Sequence, residues 1–176
     1  MKELYNFIHS DRFLKSDGLA NEVPYYIYDY NPKEELIMRE KIELIIAKSK
    51  VKIININLLV LILEYFEDEG QEALFECEEY DGTKLFIRDV ISPIIEDGSL
   101  MELLVSKIEG YDVLFITGVG SVFQFIGLHE VFSKLGDKKV SIPVIGFYPG
   151  TYTMETLSLF NIFESKNYYR AFKINR

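Results

Sequence analysis

The chain has 176 residues, 48% of them hydrophobic and 27% charged, and a net charge of −9 at pH 7. That is ample material for one buried core, and the acidic balance disfavours sequence-independent DNA binding, which needs Lys and Arg against phosphates. One cysteine and two histidines exclude an intrachain disulfide framework and a zinc cluster. No apolar run approaches about 20 residues, and Met1–Phe13 has no signal-peptide core, so a protein of the reducing cytoplasm is expected.

The acid is uneven, with Glu64–Glu79 strongly acidic and Lys166–Arg176 basic. Met1–Gly18 reads as a short amphipathic helix, an appendage carrying Leu4, Phe7, Ile8, Phe13 and Leu14, and Asp17-Gly18 stops it. Tyr25–Tyr30 (YYIYDY) is aromatic and β-branched and reads as a strand. Asn31-Pro32 turns the chain into a helix over Lys33–Ser49, with an apolar stripe at Leu36, Ile37, Ile42, Ile45 and Ile46. Val51–Leu58 follows as a strand and Leu59–Gly70 as a helix. Gln71–Gly82 fits a short helix broken at Asp81-Gly82, and Pro93 interrupts the apolar pairs of Thr83–Ile95. Ser99–Ile108 reads as a helix with Ser99 as N-cap and Gly110 as its end.

Asp112–Thr117 reads as the third strand: its all-apolar run Val113–Ile116 leads into a Gly-rich turn, the mark of a strand buried on both faces. A helix over Phe123–Leu135, closed by Gly136, is predicted next, then a strand over Val140–Phe147 containing Pro143. Pro149-Gly150 reads as a turn, Met154–Ile162 as short helix or irregular chain, and Tyr168–Asn175 as the last strand. Strands alternating with helices predict one α/β domain over residues 1–176. Its mostly parallel sheet has about five strands, covered by helices on both faces.

In such a sheet, sites form at the carboxyl ends of the strands, which directs attention to Thr117–Gln124. Gly118-Val119-Gly120 begins like a dinucleotide loop, but position 123 is Phe and the chain contains no Gly-Lys pair. A standard phosphate-binding loop is therefore disfavoured, and the glycines read as a tight strand-to-helix turn with close packing. Asp29, at the end of its strand, could hold a metal through its oxygens or cap the helix opening at Pro32. Asp112 lies at the wrong end and reads as structural. Ser121 does not sit in a hydrolase elbow. Cys77 lies among acids that raise a thiol pKa, and His9 and His129 have no evident acid–base partner. Tyr148-Pro149-Gly150-Thr151-Tyr152 and Tyr168-Tyr169-Arg170 suit strand packing, a protein interface or nucleic-acid stacking.

Four blocks in order, NEVPYYIYDYNP (Asn21–Pro32), TGVGSVFQF (Thr117–Phe125), FYPGTY (Phe147–Tyr152) and NYYRAFKI (Asn167–Ile174), resemble the BrxB family. The resemblance implies a component of a BREX phage-resistance system, with no catalytic residue set, no cofactor and no metal. It implies association with a PglZ-like protein of the alkaline-phosphatase superfamily and, through it, a PglX-like methyltransferase. The sheet is expected to be like that of a P-loop NTPase lacking its Walker A motif. A non-catalytic adaptor would use the carboxyl edge: Asp29, Tyr30, Thr117, Gly118, Gly120, Ser121, Tyr148, Gly150, Tyr152 and Arg170. The alternatives are a degenerate nucleotide- or metal-binding hydrolase at Asp29 and the Gly118–Ser121 loop, and a DNA-contacting module using Arg170, Lys173 and Arg176.

Overall fold

The computed structural model describes residues 2–14, 25–153, 155–165 and 171–174. The chain opens with α1 (Lys2–Ile8) and α2 (Asp11–Leu14), followed by β1 (Tyr25–Tyr30). A 3₁₀ turn, Pro32–Glu34, leads into α3 (Glu35–Lys48), β2 (Ile53–Asn57) and α4 (Leu58–Tyr65). Then come α5 (Gln71–Asp81), α6 (Thr83–Phe86), a π turn at Ile87–Ile91, α7 (Ser92–Glu96), α8 (Ser99–Lys107) and β3 (Val113–Thr117). The last elements are α9 (Leu128–Asp137), β4 (Val144–Tyr152), β5 (Leu157–Leu159), β6 (Phe163–Ser165) and β7 (Ala171–Lys173).

Five strands form the parallel sheet, in the order β2-β3-β4-β1-β7. β5 and β6 add an antiparallel hairpin to the outer end of β4, so seven strands are joined. From β1 the chain crosses past β4 and β3 to the edge strand β2, then returns through β3 to β4. Right-handed crossovers in opposite directions put their helices on opposite faces. Accordingly α1, α2 and α3 bury Leu4, Ile8, Phe13, Met38, Ile42 and Ile45 against Tyr26, Phe115 and Phe147. Helices α4 to α9 bury Leu61, Leu104, Val131 and Phe132 against Leu114, Ile116 and Val144 on the other face. β3 serves both cores, and Val113–Ile116 are fully buried, each large side chain contributing roughly 2 kcal/mol of burial. The N-terminal segment expected as an appendage therefore supplies core side chains, and residues 15–18 of it lie outside the described residues.

Several local expectations change for physical reasons. Leu36 is 72% exposed and Ile37 also faces out, because Met38, Ile42 and Ile45 form the inward face of α3 instead. Pro93 does not interrupt the chain: the wide π turn before it carries the backbone to α7, where Pro sits in the first turn and needs no N–H partner. Ser99 does not cap α8; the Asp97 carboxylate accepts the Ser99 N–H at 2.8 Å. The helix expected from Phe123 begins only at Leu128. Val119, Val122 and Ile126 are buried at helix-like spacing, yet this stretch runs as turns closed by Ser121 N–H to Gly118 O at 2.9 Å and Phe125 N–H to Val122 O at 2.8 Å. The strand expected over Val140–Phe147 runs later and longer, to Tyr152, so Pro149-Gly150 is strand, not turn. Pro149 stands at the last β1–β4 position, opposite Tyr30, where the missing N–H costs little. The stretch read as helical or irregular from Met154 contains β5, and the final strand is confined to Ala171–Lys173 among the described residues.

Candidate functional site

The sequence-predicted edge residues fall into three groups. The first lines a cleft of about 140 Å³ between α3 and the carboxyl ends of β1, β2 and β3. Tyr30, Thr117 and Gly118 are here, with Glu35, Arg39, Asn55 and Asn57. The Tyr30 hydroxyl donates to Glu35 Oε2, and Glu35 Oε1 accepts from Arg39 Nε at 2.9 Å. Burial, then the Glu35 hydrogen bond, hold the Tyr30 phenol above the ordinary tyrosine value, so it remains the donor. Thr117 Oγ1 donates to Asn55 Oδ1 at 2.9 Å. Asn57 caps α4: its Oδ1 accepts from the N–H groups of Leu59 at 3.0 Å and Val60 at 3.4 Å. Gly118 has φ +74°, and a Cβ there would lie 2.3 Å from Asn57 Oδ1. Glycine is thus required for the Asn57 cap and the β3 turn to coexist.

The second group sits beside an apolar groove of about 240 Å³ lined by Val119, Tyr148, Leu157, Leu159 and Phe163. Tyr148 is buried, and burial pushes its phenol up to about 12. A Cβ on Gly120 would lie 2.8 Å from the Phe160 ring, so the bare glycine lets the loop after β3 close on the hairpin. Phe123 stacks on Phe163 at 5.3 Å and meets Phe160 edge-on at 5.8 Å. Phe163 is 52% exposed and its neighbour Ile162 is 74% exposed. Ser121 is exposed on the same loop.

The third group is interior. Asp29 is 6% exposed, and one carboxylate oxygen accepts from Tyr152 N–H at 2.8 Å and Lys173 Nζ at 2.6 Å. Lys173 Nζ also donates to Tyr152 O at 2.9 Å. Asp29 thus ties β1, β4 and β7 together, and the cap of the turn after β1 is Asn31, whose Oδ1 accepts from Lys33 N–H at 3.1 Å. Lys173, considered for DNA, is committed inward. A Cβ on Gly150 would lie 2.1 Å from the Ser158 carbonyl oxygen, which makes glycine the residue that lets β5 pair. The Tyr152 hydroxyl donates to Ala171 O at 2.7 Å in the core. Tyr152→Phe is expected to cost about 1 kcal/mol of unfolding free energy in urea titration, the net worth of one buried hydrogen bond. Arg170, with Tyr168 and Tyr169, lies outside the described residues.

Among the described residues no group of three His, Cys, Asp or Glu side chains could hold a metal ion, and no helix is long and apolar enough to cross a membrane. Asp112, at the amino end of β3, accepts from Lys52 N–H at 2.8 Å, a structural role. Desolvation, and then the Asp81 carboxylate, push the Cys77 thiol up. His9 bridges α1 to the chain after α3, contacting Tyr5 O at 2.7 Å and Lys50 N at 3.0 Å.

The family described as BREX protein BrxB matches residues 54–174, which span β2 to the end of the described chain. The chain belongs to the BrxB family. A BREX protein BrxB of Bacillus cereus (strain H3081.97) is 30% identical over 182 aligned residues, covering 99% of this chain and 95% of that protein. A BREX protein BrxB of Escherichia coli O9:H4 (strain HS) is 28% identical over 179 aligned residues, covering 99% of this chain and 89% of that protein. No solved structure gives a significant match. Membership makes this BrxB chain a component of a BREX system, with a role in phage defence.

Two features of this BrxB chain escaped sequence reasoning. Asn55 and Asn57 alternate with Ile54 and Ile56, a period-2 pattern that puts both amides on the α3 face of β2. Phe160, Ile162 and Phe163 sit on a hairpin whose strands have three residues each, too short for a periodic signal.

Proposed function

We propose that this BrxB chain is a non-catalytic adaptor of a cytoplasmic BREX complex. It docks a PglZ-like partner of the alkaline-phosphatase superfamily, reaches a PglX-like methyltransferase through that partner, and meets nucleic acid only indirectly. The observation that carries this reading is the aromatic cluster in which the exposed Phe123 and Phe163 pack together over the half-buried Phe160, with the exposed Ile162 beside it. Aromatic anchors clustered on a rigid base are the usual carriers of protein–protein affinity. The base here is β4, which runs from the core of the parallel sheet into the hairpin. The hydrolase alternative is weakened because the Asp29 carboxylate is spent on Lys173 and Tyr152.

The test is co-purification with the PglZ-like protein of the same locus, followed by size-exclusion chromatography with light scattering. A stable one-to-one or higher complex is expected. The double variant Phe123→Ala/Phe163→Ala is expected to weaken it by roughly 30-fold or more, the size of one interface hot spot, with an unchanged melting temperature. Separate elution of the wild-type proteins at micromolar concentration would remove the reading.

A further inference from the structure

The cleft between α3 and the carboxyl ends of β1 to β3 is left with unused polar atoms of both kinds. Asn57 spends its Oδ1 on the α4 cap, so its amide N–H groups remain. The Thr117 hydroxyl occupies Asn55 Oδ1, which leaves that amide's N–H groups too. Arg39 uses only Nε, on Glu35, and both Nη groups have no partner among the described residues. Glu35 already accepts once at each oxygen, from Tyr30 and from Arg39. The cleft carboxylate with both oxygens unpaired among the described residues is Glu43, one helical turn beyond Arg39 on the cleft wall. Met38 and Ile42, both buried, supply an apolar wall.

The volume sets the size of the occupant. A closed cavity of about 150 Å³ accepts a benzene ring. This cleft of about 140 Å³ opens to solvent, so one six-membered ring can enter while a fused ring and its substituents lie in the open mouth. The polar atoms set its chemistry. A planar ring is required that offers carbonyl and ring-nitrogen acceptors to Asn55, Asn57 and Arg39, and adjacent N–H donors to one carboxylate. Guanine does this, with O6 and N7 as acceptors and N1–H and N2–H as donors. Adenine turns the unprotonated N1 toward the same edge, where a carboxylate repels it.

We propose that this cleft binds the guanine base of a small nucleoside or nucleotide, with Arg39, Asn55 and Asn57 on its acceptor edge and Glu43 on its donor edge. The site lies on the α3 face, away from the aromatic cluster, and does not depend on the adaptor reading. Isothermal titration calorimetry of the full chain tests it, with guanosine, adenosine and a deoxyguanosine-containing single-stranded oligonucleotide as probes. Guanosine is expected to bind at least about tenfold more tightly than adenosine, because a site built for an N–H donor rejects the analogue lacking it. Glu43→Gln, an exposed substitution, is expected to cost at least about tenfold in guanosine affinity with an unchanged melting temperature. The proposal is overturned by no binding heat at millimolar guanosine, by equal binding of adenosine, by wild-type affinity in Glu43→Gln, or by binding of the oligonucleotide without guanosine.

Discussion

Asp29→Ala is expected to lower the unfolding free energy by about 3 kcal/mol in urea titration, the scale set by removing one partner of a buried ion pair. The carboxylate accepts from a backbone N–H of β4 and from the Lys173 ammonium of β7. Its loss leaves the Tyr152 N–H without that acceptor and Lys173 Nζ holding only the Tyr152 carbonyl among its described contacts. The Lys173 side chain is 27% exposed, so water relieves part of the stranded charge. That is why the lower end of the range applies. Asp29→Asn keeps an acceptor for Tyr152 and is expected to cost about half as much. Lys173→Met strands the more deeply buried Asp29 carboxylate, which keeps only its backbone donor among its described contacts, and is expected to cost at least as much as Asp29→Ala. A loss below about 1 kcal/mol for Asp29→Ala, the scale of an exposed pair, would show that the cross-strand tie is not what fixes β7.

Gly150→Ala is the second large effect, and it should act on both stability and partner binding. The new Cβ would stand 2.1 Å from the Ser158 carbonyl oxygen and 3.1 Å from the Phe160 N. Both atoms are backbone, and Phe160 N–H is held by Pro149 O at 2.8 Å. Neither can rotate away as a side chain tip could, so β5 must separate from β4. A cost of about 3 kcal/mol is expected, the upper range for overpacking, together with weakened capture of the PglZ-like partner, because the hairpin carries Phe163. Gly82→Ala provides the contrast. Gly82 has φ +80° with nothing within 4 Å of its Cβ position. It should show only backbone strain, about 1 to 2 kcal/mol, with partner binding intact. Equal binding losses in the two variants would disconnect the hairpin from the interface.

The parallel sheet was legible because its strands are short apolar or aromatic runs bounded by turn residues. Tyr25–Tyr30 emerges unshifted, and Val113–Ile116, buried on both faces, could hardly be read otherwise. The region after β3 misled for a reason of pattern. Val119, Val122 and Ile126 repeat at helical spacing, but consecutive turns can bury the same residues. The hairpin was hidden because Pro149-Gly150 carries strong turn chemistry, and only the approach of Ser158 O shows that this glycine serves strand pairing. Of the ten edge residues, Tyr30, Thr117 and Gly118 converge on one cleft, while Asp29 and Tyr152 turn inward. Sequence places residues along a strand but does not say which carboxylate has a lysine waiting more than a hundred positions away.

β4 lies between β3 and β1 in the sheet and extends outward as the rail of the hairpin. Tension applied to the hairpin along that rail is shared at once by the hydrogen bonds to both flanking strands, a shearing load in which no single bond leads the failure. Peeling is possible only from the tip, at β6, whose sole strand partner among the described residues is β5. A partner seated on Phe123 and Phe163 touches the loop and the hairpin together and so clamps that tip. Mechanical force passing between BREX components would then be borne by the most deeply buried strands of this protein.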